Sequence, residues 1–163
     1  ADGWLPTFFS PGHVADLRAL LDEGARRAGR SLDGFEIVPT VQCCVSDDLA
    51  GARDLMRPGL ALYVGGMGSR EQNFYNAAVA RYGFERAARQ VQDLYLDGRH
   101  SEAAAALPDE LIDSLTLCGP RELVRERITA FREAGVSTLA VMPMALDRDG
   151  RIEQLRAVAE LAA

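Results

Sequence analysis

The chain has 163 residues, 48% of them apolar and 26% charged, the profile of a globular protein with enough length for one ordinary domain and a real core. Its net charge of −6 comes from 24 acidic against 18 basic residues, and the basic ones are scattered, which argues against a nucleic-acid footprint or a polybasic membrane patch. No apolar run reaches the ~18 residues that a membrane-spanning helix needs.

The opening Ala1-Asp2-Gly3-Trp4 has no initiator Met, no basic stretch and no apolar stretch, and reads as neither a signal peptide nor a natural beginning. Every basic side chain is Arg and none is Lys, which we read as coding bias. The cysteines are Cys43, Cys44 and Cys118. An odd count without CxxC spacing argues against a disulfide framework or a zinc site, so reduced core thiols in a cytoplasmic protein are expected. His13 and His100 have no ligand-spaced partner, and no metal is expected.

In chain order, Asp2 to Pro6 reads as the tail of a strand running into a loop. Ser10-Pro11 opens a helix, with Val14, Leu17, Leu21, Ala25 and Ala28 at helical spacing and Gly29 to end it. Phe35 to Val45 is the best strand. Its nearly continuous apolar run suits a parallel strand covered on both faces. Ser46-Asp47-Asp48 caps a helix that begins near Leu49; capping accounts for these acids better than catalysis does.

From Leu49 to Leu115 the chain is helical with breaks at Gly65-Gly66-Met67-Gly68, Gly83 and Gly98, and Pro108 opens a short helix through Ile112. A plain connection between a strand and its helix takes ~2–6 residues, so this stretch is an insertion with its own helices. Phe74, Tyr75, Tyr82 and Phe84 are expected to form its core. Thr116 to Cys118 is a short extended piece. Gly119-Pro120 starts a helix striped by Val124, Ile128 and Phe131 and ended by Gly135. Ser137 to Met142 is a second buried strand, stopped by Pro143, and a last helix runs from Arg151. Alternating strands and helices with strands buried on both faces mean an α/β fold with a parallel sheet. Two strands and a stub cannot close a barrel, so the chain reads as a fragment or as a borrower of strands.

Several of these segments together resemble a known family. Ala1-Asp2-Gly3-Trp4-Leu5-Pro6 looks like the stretch after the sixth strand of luciferase-like monooxygenases, and Phe35 to Asp48 resembles their seventh strand. Leu117-Cys118-Gly119-Pro120 with Val124 and Ile128, then Glu133 to Thr138, resembles their last helix-strand unit. The run Tyr63 to Tyr75, with Tyr82-Gly83-Phe84 and Asp93 to Gly98, looks like the branch that uses the deazaflavin coenzyme F420. The resemblance implies that residues 1–163 are the C-terminal part of one (β/α)8 TIM-type barrel, from the end of strand 6 to helix 8. In it residues 49–115 form a helical insertion, a candidate lid, after the second strand counted from the stub. It also implies that absent strands would supply the catalytic groups, which are therefore unknown here.

Barrel sites lie at the C-terminal strand ends, here near Trp4, Val45 and Met142. Candidate cofactor-binding or substrate-binding residues are Trp4, Gly65, Gly66, Gly68, Arg70, Asn73 and Gly119. Glycines let backbone N–H groups approach an anion, and Arg70 could pair with phosphate or carboxylate; the bland alternative is a helix break. Gly119 precedes a helix N-terminus, which attracts phosphate or merely starts a helix. Trp4 could line a ring pocket or fill the core. Met142 and Met144 read as core filling rather than ligand packing.

The expected function is hydride transfer between coenzyme F420 and an organic small molecule. Two alternatives stand beside it: an FMN-dependent monooxygenase on the same barrel, and a truncated, non-catalytic assembly module. The fragment alone is expected to be inactive. A homo-oligomer is expected, with neither nucleic acid nor membrane as partner.

Overall fold

The computed structural model describes residues 1–163. Five strands, all paired in parallel, carry the fold: β1 (Gly3–Trp4), β2 (Glu36–Ile37), β3 (Thr40–Val45), β4 (Leu117–Gly119) and β5 (Ala140–Pro143). β1 pairs with β2, and β3 lies between β4 and β5 in the order β4-β3-β5.

The single strand expected over Phe35–Val45 is split into β2 and β3 at Val38-Pro39. Pro39 has no N–H to give to a ladder, although its carbonyl still accepts from Ala140 N–H. The extended piece near Thr116 is a full member of the sheet, β4. The expected strand from Ser137 to Met142 begins later, at Ala140. Ser137 and Thr138 instead turn their N–H groups to the Ile37 carbonyl.

Eight α-helices surround the strands: α1 (Val14–Arg27), α2 (Leu49–Ala61), α3 (Phe74–Val79), α4 (Glu85–Leu96), α5 (His100–Ala105), α6 (Asp109–Leu115), α7 (Arg121–Glu133) and α8 (Arg148–Ala162). A 3₁₀ turn at Pro11–His13 leads into α1. α8 starts three residues ahead of the expected Arg151, because the Asp147 carboxylate accepts from Gly150 N–H at 2.7 Å and caps it there. Asp48 caps α2 in the same way, at 2.9 Å from Gly51 N–H. Two π-helical turns, Leu62–Gly66 and Ala80–Phe84, interrupt the helical segment 49–115 between β3 and β4 (the insertion segment).

Alternation along the strands builds two cores. Val41 and Cys43 of β3, with Leu117 of β4, face Val124, Ile128 and Phe131 of α7 and Val158 and Leu161 of α8. Cys118, one residue on, faces the other way and joins Met56, Leu60, Val64, Val91, Leu111 and Ile112 of the insertion. The sheet is therefore sandwiched between an outer helical layer and the insertion. No helix is long and apolar enough to cross a membrane.

Candidate functional site

Because every strand pair is parallel, the C-terminal ends Trp4, Val45, Gly119 and Pro143 lie on one side of the sheets. The insertion leaves β3 at this end, and α7 and α8 begin there. At Gly119 φ is +116°, a conformation that L side chains rarely adopt, and an added Cβ would stand 2.8 Å from Leu49 Cδ1. The residue is thus explained by close passage of α2 over the end of β4. Beyond the end of β5 the β3 ladder is finished by a side chain. Gln154 Oε1 of α8 accepts from Val45 N–H at 2.6 Å, and its Nε2 donates to the Val45 carbonyl at 3.2 Å.

The loop after β1 reaches into the insertion. Phe8 is the one non-glycine residue at positive φ (57°), a strained conformation for an aromatic residue that costs about 1–3 kcal/mol and clusters at functional sites. It is held by its surroundings. Its ring lies 5.3 Å from that of Tyr75 and 5.7 Å from that of Tyr63, and Tyr82 Oη donates to its carbonyl at 2.8 Å. Burial pushes the Tyr82 phenol above its ordinary value. Tyr75, Tyr82 and Phe84 pack on the insertion core, whereas Phe74 is exposed. Phe8 and Gln154 were not singled out from sequence. Pro6-Thr7-Phe8 carries no signal for a left-handed aromatic residue, and one Gln on a helix face looks like any other.

The glycine loop is shaped by packing. Cβ atoms built on Gly65 and Gly66 would lie 2.4 and 2.5 Å from Tyr95, so both glycines let α4 close onto the π-helical turn. Such turns leave carbonyls outside the helical ladder, and side chains collect them here. Asn73 Nδ2 donates to Tyr63 O and Val64 O at 3.2 and 3.0 Å, while its Oδ1 caps α3 through Asn76 N–H at 3.0 Å. Asn76 Nδ2 bridges Val64 O and Ala88 O. Gly68 (φ +156°) passes against the Gln72 carbonyl. Arg70 pairs with Asp93, both about half exposed. The structure thus gathers Gly65, Gly66, Gly68, Arg70 and Asn73 at one corner beside α4. Trp4 stands apart, 6.1 Å edge-on to Phe9 in the outer core, and Gly119 lies at the sheet end.

A charged cluster ties the insertion to the outer layer. Arg53 of α2 holds Asp113 of α6 through two hydrogen bonds of 3.0 and 2.7 Å and reaches Asp109 at 2.9 Å. Arg127 of α7 meets the same Asp113 at 3.2 Å. The hydrogen bond to Asp113 raises the Arg53 pKa above its ordinary value. A crevice of about 440 Å³ between α7, β5 and α8 is lined mainly by apolar residues, Ile128, Val136, Leu139 and Leu155 among them. The loop preceding β5 lines it, so it lies away from the C-terminal strand ends and is no candidate active site.

Comparison with known proteins supplies the kinship. The family model for luciferase-like monooxygenases matches residues 1–138. A Mycobacterium tuberculosis protein named as a putative coenzyme F420-dependent oxidoreductase is 40% identical over 162 residues, covering 98% of this chain and 45% of that protein. The 5,10-methylenetetrahydromethanopterin reductase of Methanopyrus kandleri is 25% identical over 155 residues, covering 94% of this chain and 42% of that one. The chain thus spans less than half the length of these relatives. Among solved structures, the F420-dependent tetrahydromethanopterin reductase from Methanopyrus kandleri superposes with a TM-score of 0.71 at 23% identity, over 99% of this chain and 43% of its own. An F420-dependent secondary alcohol dehydrogenase, solved with an F420-acetone adduct, gives 0.69 at 18%, over all of this chain and 43% of its own. These two likenesses support the α/β fold. The chain belongs to the luciferase-like monooxygenase family, and its likeness runs to the family's F420-dependent members.

Proposed function

We propose that this chain is the C-terminal part of an F420-dependent oxidoreductase, a single barrel in which residues 49–115 form a lid over the deazaflavin. The observation that carries the reading is the 40% identity, over 98% of this chain, to a protein of that name. When bound, F420 supplies a carbon centre that gives or takes a hydride; the protein supplies position and dryness.

The residues fit such a role in part. Glycines 65 and 66 are already accounted for by Tyr95, and the amide of Asn73 is spent on backbone carbonyls. Arg70 is different. It is half exposed and held only by an equally exposed carboxylate, a pairing worth little in water, so it is free to turn to the anionic part of the cofactor. Gly119 and the start of α7 would face the same ligand from the sheet end. Trp4, at the end of β1, would close the side of the ring pocket. Phe8, pinned by Tyr82, would hold the lid against the strand-end loop and exclude water. Side chains that move protons on the substrate would come from the other half of the barrel, and this half alone would be inactive.

The test is cofactor retention by the full-length enzyme after exhaustive dialysis. Bound F420 with little or no FMN is expected; FMN retained in its place would refute the reading. Arg70→Ala should raise the KM for F420 roughly tenfold, the size of one lost charge-assisted hydrogen bond, with kcat nearly unchanged.

A further inference from the structure

The middle strand of the sheet has sulfur on both sides of it. Cys44 of β3 stands directly opposite Cys118 of β4. On the other edge Cys43 is level with Pro143, and the Met144 N–H donates to the Cys43 carbonyl at 2.8 Å, which brings Met144 level with Cys44. Alternation then puts Cys118, Cys44 and Met144 on one face and Cys43 on the other. The packing agrees: the first three contact the insertion core, and Cys43 lies in the outer core. The result is a row of three sulfur side chains across three adjacent strands, at their C-terminal ends.

Neighbouring strands lie ~4.8 Å apart, so small rotamer changes bring adjacent sulfurs onto one ion. Cys118 is buried, and Cys44 and Met144 are partly so. No cluster of three His, Cys, Asp or Glu side chains surrounds the row, so a hard cation or zinc lacks a ligand set. Two thiols and a thioether select soft cations. One rung below on the same face, the buried Gln42 Oε1 has no hydrogen-bond partner, so this face is not a finished apolar surface.

We propose that Cys118, Cys44 and Met144 form a binding site for a soft monovalent cation of the copper(I) class, held by two thiolates and one thioether. The exchange is balanced without any redox change. Two S–H bonds break, two copper–sulfur bonds form, two protons leave to solvent, and copper remains monovalent. Each thiol gives up a proton on binding, so affinity rises with pH. Thr116 Oγ1 donates to Cys118 Sγ at 3.1 Å, Arg53, Arg127 and Asp113 face Cys118, and Asp48 faces Cys44. The site does not depend on the cofactor reading, because it uses none of the residues assigned to F420.

The experiment is anaerobic titration of the fully reduced full-length protein with copper(I) against the chromogenic chelator bicinchoninate, with the Cys44→Ser/Cys118→Ser double variant as the blank for sulfur elsewhere. One copper(I) more than in the blank is expected, and affinity should rise by about two decades per pH unit near neutrality, one for each proton displaced. Cys44→Ser and Cys118→Ser should each weaken binding by more than the roughly 10–100-fold cost of losing an outer-shell partner. Met144→Leu should weaken it about tenfold, and Cys43→Ser should leave it unchanged. X-ray absorption on the copper-loaded wild-type chain counts the sulfur ligands without any variant, so a misfolded Cys118→Ser protein does not spare the proposal. Failure to bind, a single sulfur ligand, or equal sensitivity to Cys43→Ser and Cys44→Ser would overturn it.

Discussion

The two cores on either face of the sheet are built by different means. The outer core is made of large apolar side chains. Phe131, Ile128 and Val124 of α7 pack on Ile37, Val41 and Leu117 in the pattern any parallel α/β layer shows. The insertion core mixes large side chains such as Met56, Leu111 and Ile112 with many small ones. Ala52, Ala61, Ala88, Ala103 and Ala104 let helices approach closely, and Gly65 and Gly66 admit the Tyr95 ring. What large side chains do by volume on one face, hydrogen bonds do by geometry on the other: Asn73 and Asn76 collect the stray carbonyls of a π-helical turn, and Asp113 joins Arg53 to Arg127. A core of the first kind tolerates exchange among apolar residues of similar volume. A core of the second kind fails when one partner is removed, because its mate is left buried and unpaired.

The largest expected effect probes the outer core. Phe131 is 2% exposed, so Phe131→Ala should cost about 3–5 kcal/mol, read as a shift of the denaturant midpoint. Next comes the close approach in the insertion. Gly65→Ala places a Cβ 2.4 Å from Tyr95 Cβ and should cost about 2–3 kcal/mol, with hydrogen exchange quickening in α2 to α4 before α7 and α8. If both layers quicken together, the two cores are one cooperative unit and the contrast drawn above fails.

Asp113→Asn should cost about 2 kcal/mol, less than a fully buried pair would lose because the cluster is partly wet. Chemical denaturation of the double variant with Arg127→Gln should show strong non-additivity. Asn73→Ala should cost about 1–2 kcal/mol through the lost cap and the Tyr63 and Val64 carbonyls left unpaired, with hydrogen exchange quickening in α3 and the π-helical turn before it.

A pH profile separates the faces in another way. Burial pushes the Cys43 thiol from its ordinary 9.0 up to about 12, so the folded state favours the protonated form. That stability is fully present below pH ~9 and is lost as pH rises toward 12. Stability measured between pH 8 and 11 should fall, and Cys43→Ala should flatten that fall. A slope unchanged in the variant would mean that other groups carry it.

Much of the layout was legible in the sequence because hydrophobic periodicity and turn residues are local signals. The apolar run through Val41, Cys43 and Val45 announced a strand covered on both faces, Asp48 announced a cap, and the pattern from Leu49 to Leu115 announced a run of broken helices. Boundaries moved where a side chain or a missing N–H intervened, as at Pro39 and Asp147. The role of the glycine run was undecided in sequence because a glycine that admits an anion and a glycine that admits Tyr95 look the same. Tertiary structure alone decided which residues meet. Cys44 and Cys118 are 74 positions apart, and only the β3–β4 register sets them side by side. Phe8 meets Tyr82 across the same separation of 74, and Gln154 meets Val45 across 109. The sequence by itself determined which segments are apolar, where they turn and which family they resemble. Packing decided the pairings, because a contact between distant positions depends on the register and face that the whole sheet imposes.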